Sequence, residues 1–329
     1  MTPEKHLRIF LIGGSSGGQA AVLDTLTNLP KDINAAFLIV LHSAFDTPST
    51  YPAYLGSKID LEVKEVKDKM DILPGVVYVS KPNHHLFIKD KKIHLSNGPR
   101  ENLFRPSIDV LFRSGAVSFA NSAVGILLTG QLNDGVAGLE GIKKCGGIAI
   151  AQNPATSEFP DMPQAAIDNV EIDYVVNLED MSSVIQKIIH EDLPKEVSIP
   201  SGLERENEIA TKFKSQIATE DDLGVQVPIS CSSCGGPLWE MKDSPVKRYR
   251  CHVGHAFTED ALLKAQNEAL EEALWVSMRT LEEKKTLLQR MAIDFEKRGS
   301  LTLARSYFDK KDEVMSHLKQ IRSVLKIND

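Results

Sequence analysis

The sequence predicts an α/β protein built on a doubly wound, mostly parallel sheet, followed by a small cysteine-rich module and an α-helical hairpin. Three observations support this prediction. Up to about residue 190, apolar runs of strand length alternate with helical patterns. Three of the four cysteines then crowd into residues 229–257. From Thr258 onward there is no proline, and leucine and methionine recur at helical spacing.

Changes in composition give the domain boundaries. A three-layer, Rossmann-like domain is expected over residues 1–191, because its strand-like runs are apolar on both faces. Residues 192–228 are polar, charged and poor in aromatic side chains, as in a linker. The cysteine and histidine knuckle occupies residues 229–257, and the helical hairpin or coiled-coil module occupies residues 258–329.

The elements of the first domain follow from local patterns. LRIFLI and AAFLIVL are buried strands separated by a helix, and VVYVS and KKIHLS are shorter strands around Pro82-Asn83. A helix opens after Pro106, SAVGILLTG is the next strand, and the helix GVAGLEGIKKC follows it. GIAIAQ, a short helix after Pro163 and YVV complete the alternation. In such sheets, binding and catalytic sites form beyond the carboxyl ends of the strands.

Composition excludes several classes of protein. With 329 residues, 42% hydrophobic and 25% charged, the chain is an ordinary globular protein with room for two domains. A net charge of -7 argues against nucleic-acid binding, which needs a basic surface. The start is not a secretory signal, and no apolar run approaches the roughly 20 residues that span a bilayer. We therefore expect a cytoplasmic protein without membrane insertion.

The loop IGGSSGG follows the first strand and places Ser15 at a strand-to-helix corner. A nucleotide-binding loop is the alternative, but the glycine spacing does not match a dinucleotide fingerprint, and no Lys-Ser or Lys-Thr pair follows. A serine between small residues can instead expose its hydroxyl as a nucleophile, with the positive end of the next helix facing developing negative charge.

Two further residues lie where strands end: His42 after AAFLIVL, and Asp134 after SAVGILLTG. If the strands are adjacent, they meet Ser15 at one sheet edge and supply a hydrolytic triad. A histidine with its ordinary pKa of about 6.5 can take a serine proton near neutrality, and an aspartate orients the imidazole. Spacing alone leaves open a surface histidine and an Asn-Asp-Gly turn that only caps a helix.

Several separated motifs favour the triad over these alternatives. IGGSSGG, LPGVVYVSKPNHHL, FRPSIDVLFRSGA, GILLTGQLNDGVAGL and IAQNPATSEFPDMPQAAI, in this order, resemble the CheB catalytic domain, the chemotaxis-receptor methylesterase. The resemblance runs from about Leu7 to about Ile189. It implies that Ser15 is the nucleophile, His42 the base and Asp134 the orienting acid. It also implies catalysis without a cofactor and a methylated chemoreceptor-like protein as substrate, with glutamine deamidation as a related activity of the family.

Other motif residues are candidates for substrate contacts. The resemblance implies that the backbone N–H of Gln131 helps to hold the oxyanion. Ser16, Asn133 and Met162 lie in the same motifs. Arg105 either steers an acidic, glutamate-rich helix toward the site or braces its own loop, and the sequence leaves both open.

The chain departs from the family pattern at four points. Ser16 replaces the common Thr, Ser43-Ala44 replace Met-Pro, and Gln131-Leu132 replace Met-Gly. Loss of that glycine would matter if its backbone freedom shapes the oxyanion site. The fourth departure concerns the receiver domain that precedes the familiar catalytic domain: none is expected here, because the first strand starts almost at residue 1.

The cysteine cluster predicts a structural metal. Cys231, Cys234, Cys251 and His255 supply three thiolates and one imidazole, the tetrahedral set of a structural Zn²⁺. His252 is the competing fourth ligand, and unligated, reduced cysteines in a small hairpin are the alternative. A segment with so few apolar residues needs such a staple to fold.

The tail from the cysteine cluster onward resembles the C-terminal extension of stand-alone CheB-like proteins. A helical hairpin without a core of its own needs a partner surface. It would dimerise, bind the catalytic domain, or dock a receptor methyltransferase or regulator. Two rival functions remain: a catalytically impaired CheB-like binding protein, and a serine esterase with a different protein substrate.

Overall fold

The computed structural model describes residues 6–42, 50–212, 224–242, 244 and 246–325. Its main sheet contains seven strands: β1 Arg8–Gly14, β2 Ala35–Leu41, β3 Glu62–Glu65, β5 Val76–Val79, β8 Ala123–Leu127, β9 Ile148–Gln152 and β10 Tyr174–Val176. They pair in parallel in the order β10-β9-β8-β1-β2-β5-β3. Because β1, β2 and β8 lie in the centre, they are buried along their whole length.

Helices cover both faces of this sheet. On one face lie α1 Gly18–Leu26, α2 Tyr51–Gly56 and α6 Met181–His190, and on the other α3 Ile108–Phe119, α4 Val136–Lys144 and α5 Asp161–Asn169. Strand β1 shows the alternation: Phe10 and Ile12 enter the first core, and Ile9 and Leu11 enter the second. This confirms the predicted doubly wound fold. Short 3₁₀ turns cover Ala120–Ser122, Pro154–Thr156 and Leu178–Asp180.

In the described part of the chain, two antiparallel sheets accompany the main sheet. The strands β4 Met70–Asp71, β6 His85–Lys89 and β7 Lys92–Ser96 form the first, in the order β4-β7-β6. The second contains β11 Gly224–Ser230, β12 Pro237–Met241, β13 Arg248–Cys251 and β14 Ala256–Thr258, paired in sequence order. We call residues 224–258 the cysteine module. Buried Trp239 and Phe257 belong to its small core.

A helix precedes the cysteine module. Helix α7 Ser201–Lys212 lies in the stretch that composition assigned to a linker, and its Glu206 is buried. A glutamate in a polar stretch is expected at the surface, since glutamate is rarely buried unless it is paired. The tertiary partners described below account for the burial of Glu206.

The chain packs as two units, Met1–Leu262 and Leu263–Asp329. The first contains the main sheet, α7 and the cysteine module. The second contains most of α8 Glu259–Lys297 and all of α9 Leu301–Val324. Leu288, Val314 and Leu318 form its core, and Gly299, with φ 77, makes the turn between the helices. The predicted helical hairpin is thus confirmed. No helix within the described ranges is both long and apolar enough to cross a bilayer.

Candidate active site

Ser15 directly follows β1, at the centre of the carboxyl edge of the sheet. Its N–H donates to the Thr129 carbonyl oxygen at 3.0 Å, which ties it to the end of β8. Gly130 lies against it: a Cβ built there would be 2.8 Å from Ser15 Cβ and 2.7 Å from Met162 Cε. Only glycine fits between these two side chains, so the loop after β8 can approach the serine closely.

His42 follows β2, and parallel pairing places it beside Ser15. Gly14 and Leu41 are register partners, and His42 N–H donates to the Gly14 carbonyl oxygen at 3.2 Å. In the side chain, Nδ1 lies 3.0 Å from Ser15 Oγ. The ring of Phe104 stacks on the imidazole, with centroids 3.6 Å apart and an angle of 7° between the planes. The stack fixes the orientation of the imidazole.

Asp134 lies on the other side of the imidazole, with Oδ2 2.8 Å from His42 Nε2. Because a carboxylate only accepts, Nε2 carries the hydrogen and Nδ1 keeps a lone pair for the serine hydroxyl. The hydrogen bonds from Ser15 to His42 and from His42 to Asp134 therefore form a continuous series. Both the histidine and aspartate side chains are almost fully buried.

From the described residues, the carboxylate of Asp134 accepts five hydrogen bonds. Besides His42 Nε2, the donors are Asn102 Nδ2 at 2.8 Å, Ser107 Oγ at 2.9 Å, and the N–H groups of Ile108 and Asp109 at 2.7 and 3.3 Å. The last two N–H groups are the first of α3, whose positive end faces the carboxylate. Burial by itself raises the pKa of Asp134, but the bonds from His42, Asn102 and Ile108 outweigh it and lower the pKa.

A second carboxylate lies beside the first. Asp109 Oδ2 accepts from the same Asn102 amide at 2.8 Å, and Oδ1 accepts from Gly138 N–H at 2.7 Å. Burial and the neighbouring charge of Asp134 raise the pKa of Asp109 to about 7. The pair therefore favours a single negative charge, located on the carboxylate that faces His42.

The other predicted substrate residues lie around this centre. Gln131 follows the glycine that touches Ser15, and its side chain is exposed. Leu132 has φ 62, in the left-handed region that favours glycine. Position 132 thus has the backbone conformation for which the family's glycine is suited. Met162 is fully buried, and Ser16 accepts at its carbonyl from Thr129 Oγ1 at 3.2 Å.

Arg105 and Asn133 bond to the protein itself. Arg105 donates to Asn83 Oδ1 at 3.0 and 2.6 Å and to the carbonyls of Asn97 and Gly98, so it braces its own loop. Asn133 accepts from Thr258 Oγ1 at 2.5 Å and donates to Asp260 at 3.1 Å, two residues at the start of α8. A substrate role for either residue stays a prediction. Ser43 and Ala44 lie outside the described residues.

Among the described residues, sequence reasoning missed three whose side chains touch the predicted triad: Asn102, Phe104 and Ser107. Phe104 and Ser107 belong to FRPSIDVLFRSGA, which had contributed only to the family resemblance. Asn102 precedes this motif and has no signal of its own. Its role depends on a loop conformation that brings it back to the sheet edge.

The cysteine cluster matches a tetrahedral metal site. The ligand atoms of Cys231, Cys234, Cys251 and His255 all lie within 4.8 Å of one another. Cys234 and Cys251 Sγ are 3.7 Å apart, and Cys251 Sγ is 3.5 Å from His255 Nδ1. Zn–S bonds of about 2.3 Å and Zn–N bonds of about 2.0 Å at tetrahedral angles require separations near 3.8 and 3.5 Å. These residues can therefore hold a metal ion, with His255 as the imidazole.

The geometry of the site defines a class of protein. A serine, a histidine and an aspartate joined by hydrogen bonds at the carboxyl edge of a parallel sheet form the arrangement of a serine hydrolase. A model of the CheB methylesterase family matches residues 10–185. The chain belongs to this family.

Known proteins resemble this part of the chain. A Leptospira interrogans relative is 37% identical over 184 residues, which are 56% of this chain and 95% of the relative. The Methanosarcina barkeri protein-glutamate methylesterase/protein-glutamine glutaminase is 35% identical, and the match covers 55% of this chain and 52% of that protein. The crystal structure of the Thermotoga maritima CheB methylesterase catalytic domain, 28% identical, superposes with a TM-score of 0.53 and covers 56% of this chain and 99% of that one.

Proposed function

We propose that this protein is a protein-glutamate methylesterase acting on a methylated chemoreceptor-like protein. The observation that carries the proposal is the hydrogen-bonded chain Ser15–His42–Asp134, in a member of the CheB methylesterase family. The names of the relatives support the substrate class. Asp134 accepts five hydrogen bonds and therefore stays ionised beside His42.

The reaction proceeds through an acyl-enzyme. His42 Nδ1 takes the proton from Ser15 Oγ as the oxygen attacks the γ-carbonyl of a glutamyl methyl ester. His42 then returns this proton to the departing methoxide, and methanol leaves. Water attacks the acyl-enzyme with the same base, which restores Ser15 and frees the glutamate carboxylate. Asp134 stabilises the imidazolium that forms in each half.

The tetrahedral intermediate needs donors for its oxygen. We assign the Gln131 backbone N–H, because Gln131 follows the glycine that touches Ser15 Cβ. One such donor contributes about 10²–10³-fold to the rate. The same attack on a glutamine side chain would release ammonia, and the relatives named glutaminases support this second activity.

Methanol release tests the proposal directly. A methylated receptor fragment is incubated with the wild type, Ser15→Ala and the control Ser57→Ala, which changes an exposed serine at the end of α2. We expect release by the wild type and the control and none by Ser15→Ala. Equal release by wild type and Ser15→Ala would reject the assigned nucleophile.

We further assign the cluster of Cys231, Cys234, Cys251 and His255 to a structural Zn²⁺. Four protein ligands leave no open position, so this ion would stabilise the fold and take no part in the reaction. Elemental analysis of the purified protein should give about one zinc per chain, and Cys251→Ser should lose most of it. A cytoplasmic location and an additional partner for the helical hairpin stay predictions.

A further inference from the structure

We propose that Asn102 is a positioning residue for Asp134, and that the metal-dependent order of the cysteine module holds Asn102 in place. The inference rests on the proposed role of the triad. It concerns residues 100–104, here called the bridging segment, which lie between the catalytic sheet and the module.

The bridging segment adds to the edge of the module's sheet. Glu101 pairs with Ala256 of β14 in a parallel bridge. Asn102 N–H donates to the Ala256 carbonyl oxygen at 2.8 Å, and Ala256 N–H donates to the Arg100 carbonyl oxygen at 3.3 Å. The backbone of the segment is therefore fixed by a strand that lies more than 150 residues later in the chain.

Asn102 connects the two parts through its side chain. Its Nδ2 donates to Asp134 Oδ1 and to Asp109 Oδ2, both at 2.8 Å, and its Oδ1 accepts from Thr258 N–H at 3.0 Å. Thus the amide has one acceptor directed to the module and two donors directed to the carboxylate pair. Its φ of 53 is left-handed, a conformation that asparagine tolerates better than most residues.

A second residue of the segment reaches the triad. Phe104 stacks on the imidazole of His42, and its N–H donates to the Glu101 carbonyl oxygen at 3.0 Å. A shift of the bridging segment would therefore move the contacts of both the base and the orienting acid. Neither Asn102 nor Phe104 receives a proton in the proposed reaction, so they act through the position of His42 and through the position and charge of Asp134.

Buried ion pairs stabilise the position of the bridging segment. Glu101 accepts from Arg113 Nη2 at 3.0 and 3.1 Å and from Arg250 Nη2 of the module at 3.0 Å. Glu206 of α7 accepts from Arg113, Arg248 and Arg250. Burial alone raises the pKa of Glu101, but Arg113 and Arg250 lower it. If the module detached, the Glu101 and Glu206 carboxylates would lose the arginines of β13, and only Arg113 would remain beside them.

The cysteine cluster is adjacent in sequence to these contacts. Cys251 ends β13, and His255 immediately precedes Ala256, the residue that pairs with Glu101. A four-stranded sheet of this size has little apolar area with which to fold alone. Metal binding would therefore order the turn that presents both Ala256 and Thr258 to the bridging segment.

The test uses the full chain and a fluorophosphonate probe, whose reaction with Ser15 needs the triad and no natural substrate. We compare the labelling rate, as a function of pH, for the wild type, Asn102→Gly and the control Asp90→Gly. Glycine removes the amide without backbone strain, and Asp90 is another left-handed residue, in the exposed turn between β6 and β7.

We expect about tenfold slower labelling of Asn102→Gly, the effect of losing one hydrogen bond to a charged group. We also expect its half-maximal rate at higher pH, because Asp134 would then direct more negative charge at the imidazole. A purely structural loss would lower the rate without moving this midpoint. Asp90→Gly should match the wild type in both measurements.

Chelation forms the second part of the test. Stripping the metal from the wild type should slow labelling, shift the midpoint in the same direction, and speed hydrogen exchange at the Asn102 amide. Added Zn²⁺ should reverse all three effects. Applied to Asn102→Gly, chelation should cause a smaller further loss, because the Asn102 contact through which both changes act is already absent and only the Phe104 contact remains to be disturbed.

Two results would overturn the inference. The first is that Asn102→Gly is labelled at the wild-type rate and with the wild-type pH midpoint. The second is that chelation leaves the labelling of the wild type unchanged although the backbone amides of the cysteine module then exchange freely. Absence of labelling at Ser15 in the wild type would reject the triad and this inference together. Normal labelling without methanol release would reject only the proposed substrate.

Discussion

At the scale of single residues, Asp134 shows how hydrogen-bond donors keep a buried carboxylate ionised. Its five donors come from the N-terminus of α3, the bridging segment and the imidazole itself. Each donor favours the ionised form, which is the form that can fix the tautomer of His42.

Asp134→Asn should therefore slow fluorophosphonate labelling by about 10²–10⁴-fold. The amide keeps the shape of the side chain but would donate to Nε2, which places the imidazole hydrogen on the side of Ser15. Labelling rates at pH 7.5 provide the measurement. An Asn variant as fast as the wild type would show that the carboxylate does not orient the base.

Leu132 provides a second prediction, about stability. Because its φ of 62 is left-handed, a Cβ costs roughly 1–2 kcal/mol there. Leu132→Gly and Leu132→Ala both remove the atoms beyond Cβ, but only glycine also removes the Cβ and with it the strain. We expect the Gly variant to exceed the Ala variant by about 1 kcal/mol in the free energy of unfolding in urea. The reverse order would mean that the loop does not hold this conformation.

His85 provides a prediction about pH. It is buried, accepts from Ser107 N–H at Nδ1 and faces the Pro99 carbonyl oxygen with Nε2, so it closes the loop around the bridging segment. Burial lowers the pKa of His85, so the unfolded chain takes up the proton first as pH falls. The stability contributed by neutral His85 is complete above about pH 6.5 and declines below it.

The measurement compares the free energy of unfolding of the wild type and His85→Gln between pH 5 and 8. The variant should lose less stability on acidification, by up to about 1.4 kcal/mol per pH unit. His6→Gln, a change at an exposed histidine, should follow the wild type. Parallel curves for His85→Gln and the wild type would contradict the prediction.

The strand-end residues of the predicted site could be placed from the sequence more easily than the loop residues around them. Ser15 and His42 directly follow apolar strands, so strand order alone brings them together. Asn102 and Phe104 reach the predicted triad only through the fold of residues 97–107, and no periodic pattern marks them. Long-range contacts made by irregular loops leave no local signal.

At the scale of elements, the same contrast holds. The central strands were predictable because both faces are buried, which requires continuous apolar runs. Helix α7 was not predictable, because its composition is that of an exposed helix. The burial of its Glu206 is explained only by three arginines from α3 and β13.

Glu206→Gln should therefore destabilise the chain by about 3 kcal/mol, since it leaves buried arginines with one carboxylate. Unfolding in urea, monitored by the fluorescence of buried Trp239, gives the comparison. Glu204→Gln, an exposed change in the same helix, is the control. Equal losses in the two variants would place the effect in helix stability and not in the ion cluster.

At the scale of the whole molecule, the described contacts of the triad all lie in the unit that ends at Leu262. We expect a chain ended after Asn267 to label at Ser15 as fast as the full chain. A chain ended after Lys212 lacks the cysteine module and should label at least about tenfold more slowly. Hydrogen exchange in β1 and β2 checks that the sheet remains folded. Equal rates for the two truncated chains would show that the module does not act on the site.

The contact between Asn102 and Thr258 also bears on how the protein is made. The two residues are 156 positions apart, and domains fold from the N-terminus as the chain leaves the ribosome. The sheet with its serine, histidine and aspartate is complete long before Thr258 emerges. A nascent catalytic domain would thus carry an incompletely braced site, and the hydrolase would mature only when synthesis has reached the cysteine module and a metal ion has been captured.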